Sequence, residues 1–289
     1  MGMRGALMIF NSENEGKARV MLTKDMEREL EKAVEVLERG GVVVYPTETV
    51  YGLGADALSE RAVRRVFELK GRAFKKPISV AVSSFEMLES VAIVESGEVE
   101  EILNALLPGP VTVLLPRRAV LPEVLTGGSP LVGVRMPEHE IALRLITAFG
   151  RPLTATSANI SGKKPPASFE DVEIEADFKL NGGRCPYGEP STVVCLSVSA
   201  FSAVSEASSA SSALAASATG TGSGGSGIIS SQGGLQGKAE KERERRERGL
   251  NAVERLVLRR GAGYERVLHI LRNSSLGKRI HGVSVSELR

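Results

Sequence analysis

Two rhythms of apolar residues alternate along the chain. Met26, Leu30, Ala33, Val34 and Leu37 recur three to four residues apart behind Thr23, a helix-capping residue type, and Gly40-Gly41 ends the run. That spacing predicts a helix with one buried stripe. Residues 42–45 are then continuously apolar until Pro46, the pattern of a short buried strand. Ser59 opens a second helical stripe carrying Ala62, Val63, Val66, Phe67 and Leu69. Residues 78–82 read as a strand. Residues 98–107 read as a helix, closed by Pro108-Gly109-Pro110. Strands are predicted over 111–115, 131–135, 153–156 and 191–196, and a helix over 141–149. Helices alternating with short apolar strands predict one α/β domain. The strands are unevenly spaced, so the sheet is expected to be mixed rather than purely parallel.

The rhythm stops after residue 196. Residues 197–237 are almost entirely Ser, Ala and Gly, which cannot bury enough surface to offset chain entropy, and disorder is expected. Residues 238–248 interleave Lys, Arg and Glu, the pattern of a solvated helix with i,i+4 pairs; an RNA-contacting arm is the alternative. A strand pattern returns at 256–258, a turn at Arg259-Arg260-Gly261, and a helix at 264–271 with Val267, Leu268 and Leu271 on one side. One strand and one helix do not make a domain. The expected organisation is therefore a domain of 23–196 plus 252–272, an insertion of 197–251, and an unassigned tail of 273–289.

Charge and composition narrow the classes. The formal net charge of +2 supplies no global field for nucleic acid, and Trp is absent. Cys185 and Cys195 form no CxxC pair, and His139, His269 and His281 have no zinc-ligand spacing. No metal held by protein side chains is expected, and a reducing, cytoplasmic setting is. The opening ten residues are too short for a signal-peptide core, and no apolar run reaches membrane-spanning length.

Polar loops at strand ends are where α/β folds carry ligand chemistry. Pro46-Thr47-Glu48-Thr49-Val50-Tyr51-Gly52-Leu53-Gly54 packs hydroxyls and a carboxylate into a glycine-punctuated loop suited to a small polar ligand. It is not GxGxxG, and no Walker loop occurs. Lys70-Gly71-Arg72 sets two cations on a loop just past a helix end, with Lys75 and Lys76 behind them; the pair fits a polyanion such as phosphate, or else a solvated helix C-terminus. Thr156-Ser157-Ala158-Asn159 follows a strand and offers hydroxyl and amide groups, or an ordinary Ser/Asn turn. No GxSxG elbow makes Ser157 a hydrolase nucleophile. Arg135 ends the strand Leu131-Val132-Gly133-Val134, where a guanidinium can clamp a carboxylate or simply face solvent. An enzyme that binds a nucleotide and a small polar substrate is expected.

Seven strings in order resemble the YrdC-like family of L-threonylcarbamoyladenylate synthases, of the single-domain type without an extra C-terminal domain. They are 46–54; Lys70-Gly71-Arg72 with Pro77; Leu107-Pro108-Gly109-Pro110-Val111-Thr112; Val132-Gly133-Val134-Arg135-Met136-Pro137; 156–162; Ser191-Thr192-Val193-Val194; and Leu258-Arg259-Arg260-Gly261. The resemblance implies a twisted mixed sheet flanked by helices around a basic concave cavity. It implies a nucleotidyltransferase taking ATP with Mg2+, L-threonine and bicarbonate, and releasing threonylcarbamoyl-AMP and pyrophosphate. A separate tRNA threonylcarbamoyl transferase complex would use that product. By the same resemblance Lys70, Arg72, Ser157 and Asn159 line the reacting centre. Lys76, Leu131, Pro165 and Arg259 join them on ATP, and Thr49, Ala81, Arg135, Ala155 and Ser191 hold threonine. The chain departs from the pattern at Cys195, where the family usually has Asp, and at Ala81, where many members carry His. Two rival readings are an RNA-binding module of the same fold, with weak RNA contact and no catalysis, and a carbamoyl-transfer domain of the hydrogenase-maturation kind.

Overall fold

A computed structural model describes residues 23–197 and 256–277. The expected disorder of 198–237, the charged helix of 238–248, the opening ten residues and the tail from 278 lie outside the described residues. Helix α1 (Lys24–Glu38) starts where Thr23 Oγ1 accepts from the Met26 amide at 3.2 Å, and it buries Leu30, Ala33 and Leu37. Helix α2 (Glu60–Lys70) starts at Ser59 in the same way. Gly71 ends it in the left-handed region, φ 56°, where a residue without Cβ is unstrained. Lys70 is thus the last residue of the helix rather than part of a loop. Because Gly71 turns the chain there, the two cations of this string do not aim at one point.

The other elements are β1 (Val43–Tyr45), β2 (Gly52–Gly54), β3 (Ser79–Ala81), α3 (Phe85–Val91), α4 (Gly97–Leu106), β4 (Val111–Pro116), α5 (Glu123–Thr126), β5 (Leu131–Arg135), α6 (Glu140–Phe149), β6 (Leu153–Ser157), β7 (Phe178–Lys179), β8 (Thr192–Cys195), β9 (Val257–Arg259) and α7 (Tyr264–Asn273). Among the described residues they form a nine-stranded sheet in the order β7-β1-β2-β6-β3-β5-β4-β8-β9. The pairs β1–β7, β3–β5 and β4–β8 are parallel and the rest antiparallel, so the sheet is mixed as expected. No helix among the described residues is long and apolar enough to cross a membrane.

Strand β2 lies inside the string read as a loop. A Cβ on Gly52 or Gly54 would stand 2.8 Å from the Tyr45 ring, so the neighbouring strand's tyrosine requires glycine at both positions. Glycine carries no hydrophobic period, which hides such a strand from a pattern reading.

Side chains alternate between faces along a strand. Val80, Val113, Val134 and Val194 enter the larger buried cluster with Val63, Phe67, Leu103 and Leu268 from helices α2, α4 and α7. A second cluster joins Leu37 of α1 and Leu145 and Phe149 of α6 to Tyr45, Ala81 and Leu153. The intervening positions Ser79, Leu114, Val193 and Cys195 on the central strands are only half-buried. This second face of β3, β5, β4 and β8 is the open side of the sheet.

Strand β9 pairs antiparallel with β8, Val194 opposite Val257, and the Cys195 amide donates to Leu256 O at 2.8 Å. The chain therefore leaves and re-enters the sheet at neighbouring points. Closure entropy grows only logarithmically with loop length. Replacing residues 199–249 with a short Gly/Ser linker is expected to leave a single cooperative thermal transition, with Tm equal or higher by a few degrees, about 2–6 °C. A fall of about 10 °C would show that the replaced segment contributes packing.

Candidate active site

The open face is bordered by three polar groups that the fold assembles from distant segments. The first centres on Lys70. Its side chain runs inward from the end of α2 and is 1% exposed. Nζ donates to the carbonyls of Ser157 and Asn159, the latter at 2.8 Å, and lies 3.4 Å from Asn159 Oδ1. The Lys70 carbonyl accepts from the Ser161 amide at 2.8 Å, so helix end and loop are tied in both directions. Ser157 ends β6, opposite Gly52 of β2, rather than opening a loop. Its hydroxyl donates to Asn159 Oδ1, while Asn159 Nδ2 donates to the carbonyls of Ile160 (3.1 Å) and Lys163 (2.6 Å). Burial, with the neighbouring Arg72 charge, lowers the Lys70 ammonium to about 8.

The second group is built on Arg135, at the end of β5 and level with Ala81 of β3. Arg135 Nη2 donates to Glu48 Oε1 at 2.7 Å and to Thr49 Oγ1 at 2.9 Å. Thr49 and Thr47 share a 2.9 Å hydroxyl contact, and Thr47 Oγ1 donates to Val50 O at 2.7 Å. The ion pair is nearly dry, with side-chain exposures of 10% for Arg135 and 4% for Glu48. Burial raises the Glu48 carboxyl, against the pull of Arg135. Burial also pushes the Tyr45 phenol up to about 12, so it stays protonated beside this pair.

The third group joins β8 to β9. Arg259 Nη2 donates to the Ser191 carbonyl at 2.6 Å and to its hydroxyl at 3.2 Å, and the Ser191 hydroxyl lies 2.8 Å from Thr112 Oγ1. Burial lowers Arg259, and the charge of Arg135 lowers it further, which places the two guanidinium groups in one electrostatic neighbourhood. Two arginines, a buried lysine and the hydroxyls of Thr49, Ser157 and Ser191 can together neutralise and orient an anionic ligand.

The remaining expected residues are scattered around these groups. Arg72 is turned back on its own loop, donating to the carbonyls of Lys76 (3.0 Å) and Pro77 (2.9 Å). Lys76 is exposed, whereas Leu131, Ala155 and Pro165 are half-buried. Ala81 is fully buried in the α1–α6 cluster. Cys195 is half-buried on the open side of β8. Glu48 as the partner of Arg135, and Thr112 as that of Ser191, were not singled out from sequence. The carboxylate inside the hydroxyl-rich 46–54 string was the available signal for Glu48. Among the described residues no group of three or more His, Cys, Asp or Glu converges as a metal site.

Residues 35–205 match the family model Sua5/YciO/YrdC, described as "Telomere recombination". A threonylcarbamoyl-AMP synthase of Pyrococcus abyssi is 46% identical over 169 residues, covering 57% of this chain and 50% of that protein. One of Bacillus subtilis is 37% identical over 172 residues, covering 57% and 49%. A crystal structure of P. abyssi Sua5 complexed with L-threonine superposes with a TM-score of 0.56 at 45% identity, over 59% of this chain and 51% of that one. The chain thus spans about half the length of these relatives. By the family model, by these relatives and by the shared fold, the chain belongs to the Sua5/YciO/YrdC family.

Proposed function

We propose that this chain forms L-threonylcarbamoyl-AMP and pyrophosphate from ATP, L-threonine and bicarbonate. The observation that carries the reading is the contact of Lys70 with Ser157 and Asn159 across 87 and 89 residues of sequence. These are three of the six polar residues that the resemblance puts on the nucleotide. The name of the P. abyssi and B. subtilis relatives supports a synthase over an RNA-binding module. The threonine-bound Sua5 structure supports an amino-acid site on this fold.

The chemistry needs positioning and charge neutralisation more than a covalent nucleophile. Threonine's amine loses a proton and captures carbon dioxide as a carbamate. A carbamate oxygen then attacks the α-phosphorus, and pyrophosphate leaves. In this reading Lys70 holds the 157–159 loop and the charge beside the phosphates. Ser157 and Asn159 orient the reacting groups, with Arg72, Lys76, Leu131, Pro165 and Arg259 around ATP. Thr49, Ala81, Arg135, Ala155 and Ser191 surround threonine, with Arg135 nearest its carboxylate. Magnesium would enter with the ATP substrate and supply positive charge at its phosphates. The product would pass to a tRNA threonylcarbamoyl transferase complex. A reducing cytoplasm suits the free thiols of Cys185 and Cys195.

The test is pyrophosphate release from ATP and bicarbonate with and without threonine. Release that requires threonine is expected; threonine-independent release or none would overturn the reading. Its pH profile is expected to lose turnover on the alkaline side with an apparent pKa near 8, the value to which burial brings Lys70. Between that value and the unperturbed lysine range the unfolded chain holds a proton that the folded one has lost. Lys70 therefore adds to stability as pH rises through the window, and lost turnover there reflects titration rather than unfolding. An alkaline limb only above about pH 10 would remove Lys70's charge from the chemistry.

A further inference from the structure

The Glu48–Arg135 pair is arranged asymmetrically. Among the described residues, the guanidinium's hydrogen bonds all run through Nη2, to Glu48 Oε1 and Thr49 Oγ1. Nε is buried and has no partner, and neither has Glu48 Oε2. Nη1 carries no hydrogen bond to the described residues and is not among the sealed, unpartnered atoms. Glu48 is itself held: its backbone carbonyl accepts from the Tyr187 amide at 2.9 Å, and the 47–50 turn is closed by Thr47 Oγ1 on Val50 O. A fixed carboxylate thus grips one end of the arginine and leaves the other open. The pair is also close to neutral. A ligand carboxylate arriving at Arg135 meets a cation whose charge is already shared, with Arg259 as the next positive group.

Resting on the function proposed above, we propose that Glu48 is a positioning residue for the amino-acid substrate. It fixes Arg135 so that the substrate carboxylate is met end-on by Nη1 rather than by the whole fork. Its charge keeps that contact weaker than a free arginine would make it. Orientation is gained and ground-state affinity is given up, which is the useful trade when binding must favour the transition state. Without Glu48 the guanidinium is free to rotate its full fork onto the substrate. Threonine is then bound at least as tightly but in a less reactive pose.

The test is Glu48→Gln in the full chain, which removes the charge and replaces the charge-assisted grip on Nη2 by a weaker neutral acceptor that no longer fixes the guanidinium. Turnover is expected to fall roughly tenfold or more, with threonine KM unchanged or lower and ATP KM unchanged. Threonine alone should raise Tm of the variant by more than it raises that of the wild type, because it supplies the missing negative charge. A merely structural role would lower Tm with no extra rescue by threonine. Wild-type turnover, a raised threonine KM, or equal stabilisation by threonine would each overturn the assignment. If the glutamine variant does not fold, Glu48→Asp decides. The shorter acid keeps the charge but withdraws the grip, so reduced turnover with near-normal Tm supports the proposal and full turnover sinks it. Wild-type protein without threonine-dependent pyrophosphate release would instead refute the proposed function itself.

Discussion

Lys70→Ala is expected to lower threonine-dependent pyrophosphate release by at least roughly 100-fold, about 2.7 kcal/mol of transition-state stabilisation. The variant loses the cation that the proposed function sets beside the phosphates, and the donor that ties the carbonyls of Ser157 and Asn159 to the end of α2. Two effects on stability oppose each other. Carbonyls left without a donor cost about 1–3 kcal/mol. Against that, a lysine that burial has lowered to about 8 is a charge the fold pays to hold, and its removal returns part of the loss. The expected signature is a collapse of kcat/KM with a Tm change of only a few degrees. Near-normal turnover in a folded variant would show that Lys70 is a structural clamp alone. Arg72→Ala is expected to reach the same activity loss by another route, by releasing the 72–77 loop that Arg72 holds through the Lys76 and Pro77 carbonyls.

Arg135→Ala is expected to destabilise the fold by about 3–5 kcal/mol, because it strands a buried carboxylate. Glu48 has 4% side-chain exposure and Arg135 is its charge partner at 2.7 Å. For a domain of this size the loss corresponds to a Tm lower by about 6–20 °C. The loss should depend on pH. Burial already holds the Glu48 carboxyl above its usual range, and without Arg135 it rises further. A carboxyl whose folded pKa is raised takes up protons in the folded state first, so the variant gains stability as pH falls and loses it as pH rises. Thermal melts at pH 5 and pH 8 are expected to show the gap from wild type widening at the higher pH. The double variant Arg135→Met with Glu48→Gln should recover part of the loss, since no charge is then stranded. A Tm change below about 2 °C in the single variant would mean that the pair is solvated rather than buried.

The sequence by itself determined what depends on near neighbours. Thr23 and Ser59 cap the helices they precede. The apolar stripe of Ala62, Val63, Val66 and Phe67 is buried on α2, and the runs read as strands at 42–45, 131–135 and 153–156 match β1, β5 and β6 to within a residue at either end. The mixed sheet and the family were legible for the same reason: both follow from local runs and strings kept in order. Short elements without an apolar run were not legible. Strand β2 is two glycines around a leucine, β7 has two residues and α5 four, too few to display a period. Side-chain direction was decided only by the tertiary structure. Lys70 and Arg72 look alike two residues apart, yet Gly71 turns the chain between them, sending one inward to Ser157 and Asn159 and the other back onto its own loop. Arg135 could face solvent or clamp a ligand in a reading of its strand alone. Its pairing with Glu48 spans 87 residues and arises because the end of β5 and the 46–50 turn meet where water is excluded. Periodicity reports which face of an element is buried; which charges share that burial depends on strands brought together from distant parts of the chain, and only the folded sheet sets that.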